Sequence, residues 1–166
     1  MSTKPNIKLR RTATDTVLEI IGWSTLLAVW VLTITHYAAL PDTLPIHDNI
    51  AGEPDNFGER INILVLPLIA TFLFIALTLL NRYPHWFSYP VVITEENTRL
   101  HYTIATRLVR FLKLILVVIF GLITLKTTQT TNGEASGLGV WFILFTLGAI
   151  FIPLTYFIVK IGFFKP

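Results

Sequence analysis

The sequence predicts an all-α integral membrane protein: four transmembrane helices, both termini on the cytoplasmic side, a structured outer loop, and a third helix that is amphipathic or extended at its cytoplasmic end. Three observations carry this. Hydrophobic residues make up 53% of the 166 and charged residues only 14%, a balance that a soluble domain of this size cannot hide in its core. Four stretches, 20–37, 61–80, about 108–125 and 138–159, each approach the roughly 20 apolar residues that a hydrocarbon core of about 30 Å requires. Finally, of 13 Lys and Arg residues only Arg60 and Lys126 fall in the first and third connections, leaving 11 for the termini and the second connection. The positive-inside rule then places both termini and the second connection in the cytoplasm.

Residues 1–15 form a basic cytoplasmic N-terminus with Lys4, Lys8, Arg10 and Arg11. The apolar run that follows is longer than a signal-peptide core and lacks a small-residue cleavage site, so it reads as a retained helix. Helix 1 carries Glu19 about one turn inside the membrane, where a carboxylate is costly unless it snorkels or pairs. Lys113 and Lys160, at similar depth on helices 3 and 4, are its candidate partners. Trp23 and Trp30, seven residues apart, share one stripe and read as packing or lipid contact.

The loop 40–60 joins helix 1 to helix 2, and the three together, 16–80, form one module. Helix 2 contains Pro67 and helix 4 Pro153; each removes a backbone donor and is expected to bend its helix. Residues 81–166 hold the cytoplasmic connection and helices 3 and 4. In that connection Tyr83, His85, Trp86, Phe87 and Tyr89, broken by Pro84 and Pro90, read as an extended aromatic segment at headgroup level. Thr94 followed by Glu95 and Glu96 reads as a helix start. From there Leu100, Ile104, Leu108, Phe111 and Ile115 recur at three or four, which fits either an interfacial amphipathic helix or an elongated helix 3 with snorkelling cations. The third connection, 126–139, is a polar, Gly- and Thr-rich outer turn.

Ligating groups and turn-formers concentrate in the outer loop, "LPDTLPIHDNIAGEPDNFGE". Pro41 and Pro45 stiffen the exit from helix 1, and Gly52 and Gly58 permit tight turns near Pro54. Asp48 and Glu59 occupy the first and twelfth positions of an EF-hand loop, but Ile50, Gly52 and Glu53 at the third, fifth and sixth positions exclude that reading. His47 and Asp55 are weak candidates for a metal site, set against Asx-turns and capping on one side and recognition of an outside ligand on the other. The chain has no cysteine, hence no thiolate chemistry. It also carries no nucleophile-elbow, zincin, Walker or dinucleotide pattern. No catalytic residue and no cofactor are expected, and the distribution of basic residues does not suit nucleic acid.

Leu40, Pro41, Pro45, Ile46, His47, Asn49, Gly52, Pro54, Asp55 and Gly58, followed by a helix with Leu66 and Pro67, resemble the bacterial membrane module known as domain of unknown function 1648. That module is found at the N-terminus of proteins similar to the Sdp immunity and signal-transduction protein. The resemblance covers about 24–73, and Pro45, His47, Asn49, Gly52, Asp55 and Gly58 match its motif positions. The residue after the histidine, often aromatic in that family, is here Asp48. The resemblance implies a multi-pass protein of a bacterial cytoplasmic membrane with a role in toxin immunity or signalling. Its expected partners are the lipid bilayer and a peptide toxin or a membrane or cytoplasmic regulatory protein. The alternative is a small transporter or a metal-dependent membrane enzyme. A transporter calls for polar groups facing one another at mid-membrane, where helices 2 and 4 offer Thr71, Thr78 and Thr146.

Overall fold

A computed structural model describes residues 4–163; Lys165, counted above among the cytoplasmic charges, lies outside them. Four helices are long and apolar enough to cross a membrane. They are α1 (Ala13–Tyr37), α2 (Val65–Leu80), α3 (Thr98–Thr131) and α4 (Val140–Phe163). The fold is not all-α. Between α1 and α2 the chain forms an antiparallel hairpin of β1 (Thr43–Asp48) and β2 (Pro54–Glu59), which places the loop's backbone hydrogen bonds in a ladder.

The first helix starts earlier than its apolar run suggests. Thr12 accepts from the Asp15 N–H, and the Asp15 carboxylate accepts from the Thr12 N–H. This reciprocal box satisfies two of the donors that a helix start leaves open.

Pro67 falls in the first turn of α2, so it does not bend a regular helix. It has no N–H to donate to the Ile63 carbonyl, and the chain before it, Arg60–Leu64, runs as a tighter 3-10 turn, the usual adjustment where the four-residue ladder cannot form. Pro153 lies inside α4.

The third helix is a single rod of 34 residues, about 50 Å long at 1.5 Å per residue. It exceeds a bilayer core by several turns, so no separate interfacial helix exists. Its start is set by a turn in which Thr94 and Asn97 exchange side-chain to backbone hydrogen bonds. The helix therefore begins four residues after Thr94. The aromatic segment before it contains a 3-10 turn, Pro84–Trp86.

α3 packs against α1, α2 and α4. Leu26, Val29, Ala70, Phe74 and Val117 form the mid-bundle core of α1, α2 and α3, with Trp30 against it. The Trp30 indole N–H donates to Thr71 at 2.9 Å, a polar seam between α1 and α2. α4 is attached through Phe157 and Ile161 against Ile104 and Ala105. Its remaining surface exposes Leu144, Phe151, Ile152 and Ile158, as a helix facing lipid requires.

Candidate functional site

Two groups of polar residues stand out, one at each end of the bundle. At the hairpin end, Leu44 points inward and joins Leu40 and Ile63 in a small core with Tyr37 and Leu66. Arg60 secures the base: its N–H donates to the Asp42 carbonyl at 2.9 Å, its guanidinium donates to the Leu40 carbonyl at 3.2 Å, and it stacks over Tyr37. The hairpin is thus fixed to the ends of α1 and α2 by apolar burial and by a charge-assisted clasp.

The tip is closed by Asn49, which accepts from the Gly52 N–H on its carbonyl (2.8 Å) and from the Glu53 N–H on its side chain (3.1 Å). Gly52 sits at φ +77°, a conformation open to glycine at little cost. Its carbonyl accepts from the Gly139 N–H at 3.1 Å, so the tip docks on the connection between α3 and α4. Only hydrogen fits between them, because a Cβ on Gly52 would overlap the Gly139 backbone. The third connection, read from the sequence as a plain turn, is the seat of the hairpin.

Of the motif residues, His47 and Asp55 come together across the bulged ladder: Nδ1 lies 2.5 Å from Oδ1, with both side chains substantially exposed. The Asp55 hydrogen bond and charge raise the imidazole above its ordinary value. Pro45 opposes Phe57, and Gly58 opposes Leu44. A Cβ on Gly58 would press on the Ile46 and Asn62 side chains. Pro54 ends the register opposite Asp48, while Pro41 precedes β1 and is exposed. Among the described residues no three His, Asp or Glu side chains converge to hold a metal ion.

Asp48, outside the carried-over motif set, has the more telling position. It lines a cavity of about 210 Å³ under the hairpin, whose other walls include Leu44, Ile46, Ile63 and Leu66. Its Oδ1 is buried and has no hydrogen-bond partner among the described residues. Burial raises its carboxyl above the ordinary value, opposed by a bond from the Leu138 N–H and by the neighbouring His47. The sequence signal was the charge at a position where the resembled family prefers an aromatic.

At the opposite end, Lys113 is fully buried and donates to Glu19 at 2.7 Å and to Thr78 at 2.9 Å, with its ammonium 4.4 Å from the Phe74 ring centroid. Arg110 lies 3.3 Å from Glu19 and 3.4 Å from Asp15, and Arg107 lies 3.3 Å from Asp15. Two buried acids on α1 are therefore matched by three bases on α3, which is how charge is tolerated away from water. Lys160 is not part of this set. Among the described residues its ammonium meets its own helix neighbour Tyr156, at 3.5 Å, and no acid. Asp15, Arg107 and Arg110 escaped the sequence reading, although Asp15 and Glu19 at i, i+4 and Arg107, Arg110 and Lys113 at successive i+3 steps are facing stripes of opposite sign.

Residues 25–71 match the family model described as a domain of unknown function, DUF1648. The matched residues run from α1 through the hairpin into α2, and they include every motif position named above. Over 70 residues the chain is 39% identical to an uncharacterized protein of Archaeoglobus fulgidus, an alignment covering 37% of this chain and 38% of that one. The chain thus spans well under half the length of that relative. No solved structure matches. These similarities, with four membrane-length helices, fit an uncharacterised multi-pass membrane protein.

Proposed function

We propose that this is a non-enzymatic protein of a cytoplasmic membrane whose outward hairpin recognises a cationic, partly apolar segment of a peptide or of another membrane protein. The observation that carries this is one oxygen of the Asp48 carboxylate, Oδ1, which is buried without a hydrogen-bond partner among the described residues beside a cavity with largely apolar walls, while the carboxylate also accepts from the Leu138 N–H. A buried acceptor left open costs about 1–3 kcal/mol, which an incoming ammonium or guanidinium repays while its alkyl stem covers Leu44 and Ile63. Around this cavity, Asp42, Glu53 and Asp55 supply negative charge, and Ile46, Ile50 and Phe57 are exposed apolar anchors. The clasp at Arg60 and the docked tip hold these groups in place before a partner arrives, which lowers the ordering cost of binding. Toxin immunity and signalling both use such a surface, and the resemblance to Sdp-type proteins favours those roles over transport. The paired, structural character of the Glu19 and Lys113 network supports the same preference.

The test is crosslinking in native membranes from photoreactive residues at Ile46, on the exposed rim of the cavity, and at Phe57, on the facing strand. A discrete peptide or protein adduct from both positions is expected, and Asp48→Asn should reduce it about tenfold, the worth of one charge-assisted hydrogen bond. Adducts with lipid alone, or an adduct that Asp48→Asn leaves unchanged, would refute the reading.

A further inference from the structure

A cavity of about 550 Å³ opens at the end of the bundle opposite the hairpin, between the N-terminal segment, α1, the end of α2, the Tyr83–Trp86 turn and Thr106 and Arg110 of α3. Its volume falls in the range of small-molecule sites. The N-terminal segment forms one wall because it is tied down: Tyr102 donates to the Pro5 carbonyl at 2.9 Å, and Lys4 donates to the Phe87 carbonyl.

Charge in this cavity is one-sided. Lys8, Arg11 and Arg82 line it, and none of them makes an ion pair or side-chain hydrogen bond among the described residues. Glu19 reaches the cavity floor, but it is committed to Lys113 and Arg110. Topogenic charge alone accounts for cations on this side of a membrane; it does not account for three of them lining one concave space. Asn81 also lines the cavity, and its buried Oδ1 has no hydrogen-bond partner among the described residues. On the membrane side the wall is apolar and aromatic, with Trp86 stacked on Tyr83 at 4.6 Å and largely exposed.

We propose that this cavity binds a hydroxylated phosphate ester of the glycerophosphate type. The phosphate lies among Arg11, Arg82 and Lys8, as guanidinium and ammonium donors favour. A hydroxyl of the ester donates to Asn81 Oδ1. Two sources share this chemistry, the headgroup of phosphatidylglycerol in the adjacent leaflet and soluble glycerol 3-phosphate.

The full chain, purified in mild detergent, is titrated with phosphatidylglycerol, with phosphatidylcholine and with glycerol 3-phosphate, and bound species are counted by native mass spectrometry. Retention of phosphatidylglycerol over phosphatidylcholine by about thirtyfold, the worth of two headgroup-facing cations, assigns the lipid source. Saturable binding of glycerol 3-phosphate without a lipid preference assigns the soluble one. In either case Arg11→Gln with Arg82→Gln should abolish that preference or binding, Asn81→Asp should weaken it with the helical circular dichroism unchanged, and Arg10→Gln with Arg99→Gln, an equal charge loss at exposed sites outside the cavity, should leave it intact. Failure of phosphatidylglycerol and glycerol 3-phosphate to bind, or an effect of the Arg10 and Arg99 pair as large as that of the cavity pair, would overturn the proposal.

Discussion

The exposed pair at His47 and the buried pair at Lys113 call for different arguments. His47 is largely exposed, so its coupling to Asp55 is a matter of titration. Its raised value means that the stabilisation from the pair is complete below 6.5, the ordinary histidine value, and fades as pH rises through the raised one. Nuclear magnetic resonance of the His47 ring should show it titrating above 6.5, and Asp55→Asn should bring it down toward that value. Lys113 is a case of burial: Glu19→Gln alone strands its charge and should cost about 3–5 kcal/mol, read as a lower Tm in detergent; Lys113→Met leaves Glu19 paired with Arg110 and should cost less, and the double substitution should recover most of the loss. The sequence showed that Glu19 needed a cation near its depth, and it offered Lys113 and Lys160 equally. Depth along a helix can be counted from residues. Rotation about the axis depends on which face of α4 meets α3, and here Phe157 and Ile161 take that face and turn Lys160 away.

Among the elements, helices were legible and the hairpin was not. Apolar runs of membrane length leave little alternative to a helix, because the backbone has no other partner in lipid. The hairpin strands carry Pro45 and Pro54, a bulge at His47 and few β-branched residues, so local propensity does not announce them. Their stability comes from contacts remote in sequence: Leu44 in its core, Arg60 at the base and Gly139 under the tip. The stiffness that the prolines suggested is present, but it is supplied by this docking. Gly52→Ala should therefore lower stability by about 2 kcal/mol, from left-handed strain together with backbone overlap at Gly139. Gly133→Ala has the same positive φ but open space around it, so it should cost about half as much. Hydrogen exchange across 49–53 should accelerate in the first variant only. Helix ends were misplaced for a related reason. The Thr12 and Asp15 box and the Thr94 and Asn97 turn set them, whereas the apolar runs mark only the lipid-buried middle.

For the whole molecule, α3 is the organising element. The ion pairs climb α1 and α3 in the same direction, Asp15 with Arg107 and Arg110, then Glu19 with Arg110 and Lys113, as parallel neighbours must. Both helices thus begin at the basic end, and the hairpin with its acidic groups stands at the other. Charge separation of this kind was readable from the loops alone; the cavity at each end was not, because each is assembled from segments far apart in the chain. The absence of cysteine makes the arrangement directly accessible to single-cysteine labelling with a membrane-impermeant maleimide. A cysteine at Phe57, on the hairpin, should label in intact cells, whereas one at Glu95, in the second connection, should label only after permeabilisation. Labelling of Glu95 and protection of Phe57 in intact cells would turn the hairpin away from any outside partner and contradict the account.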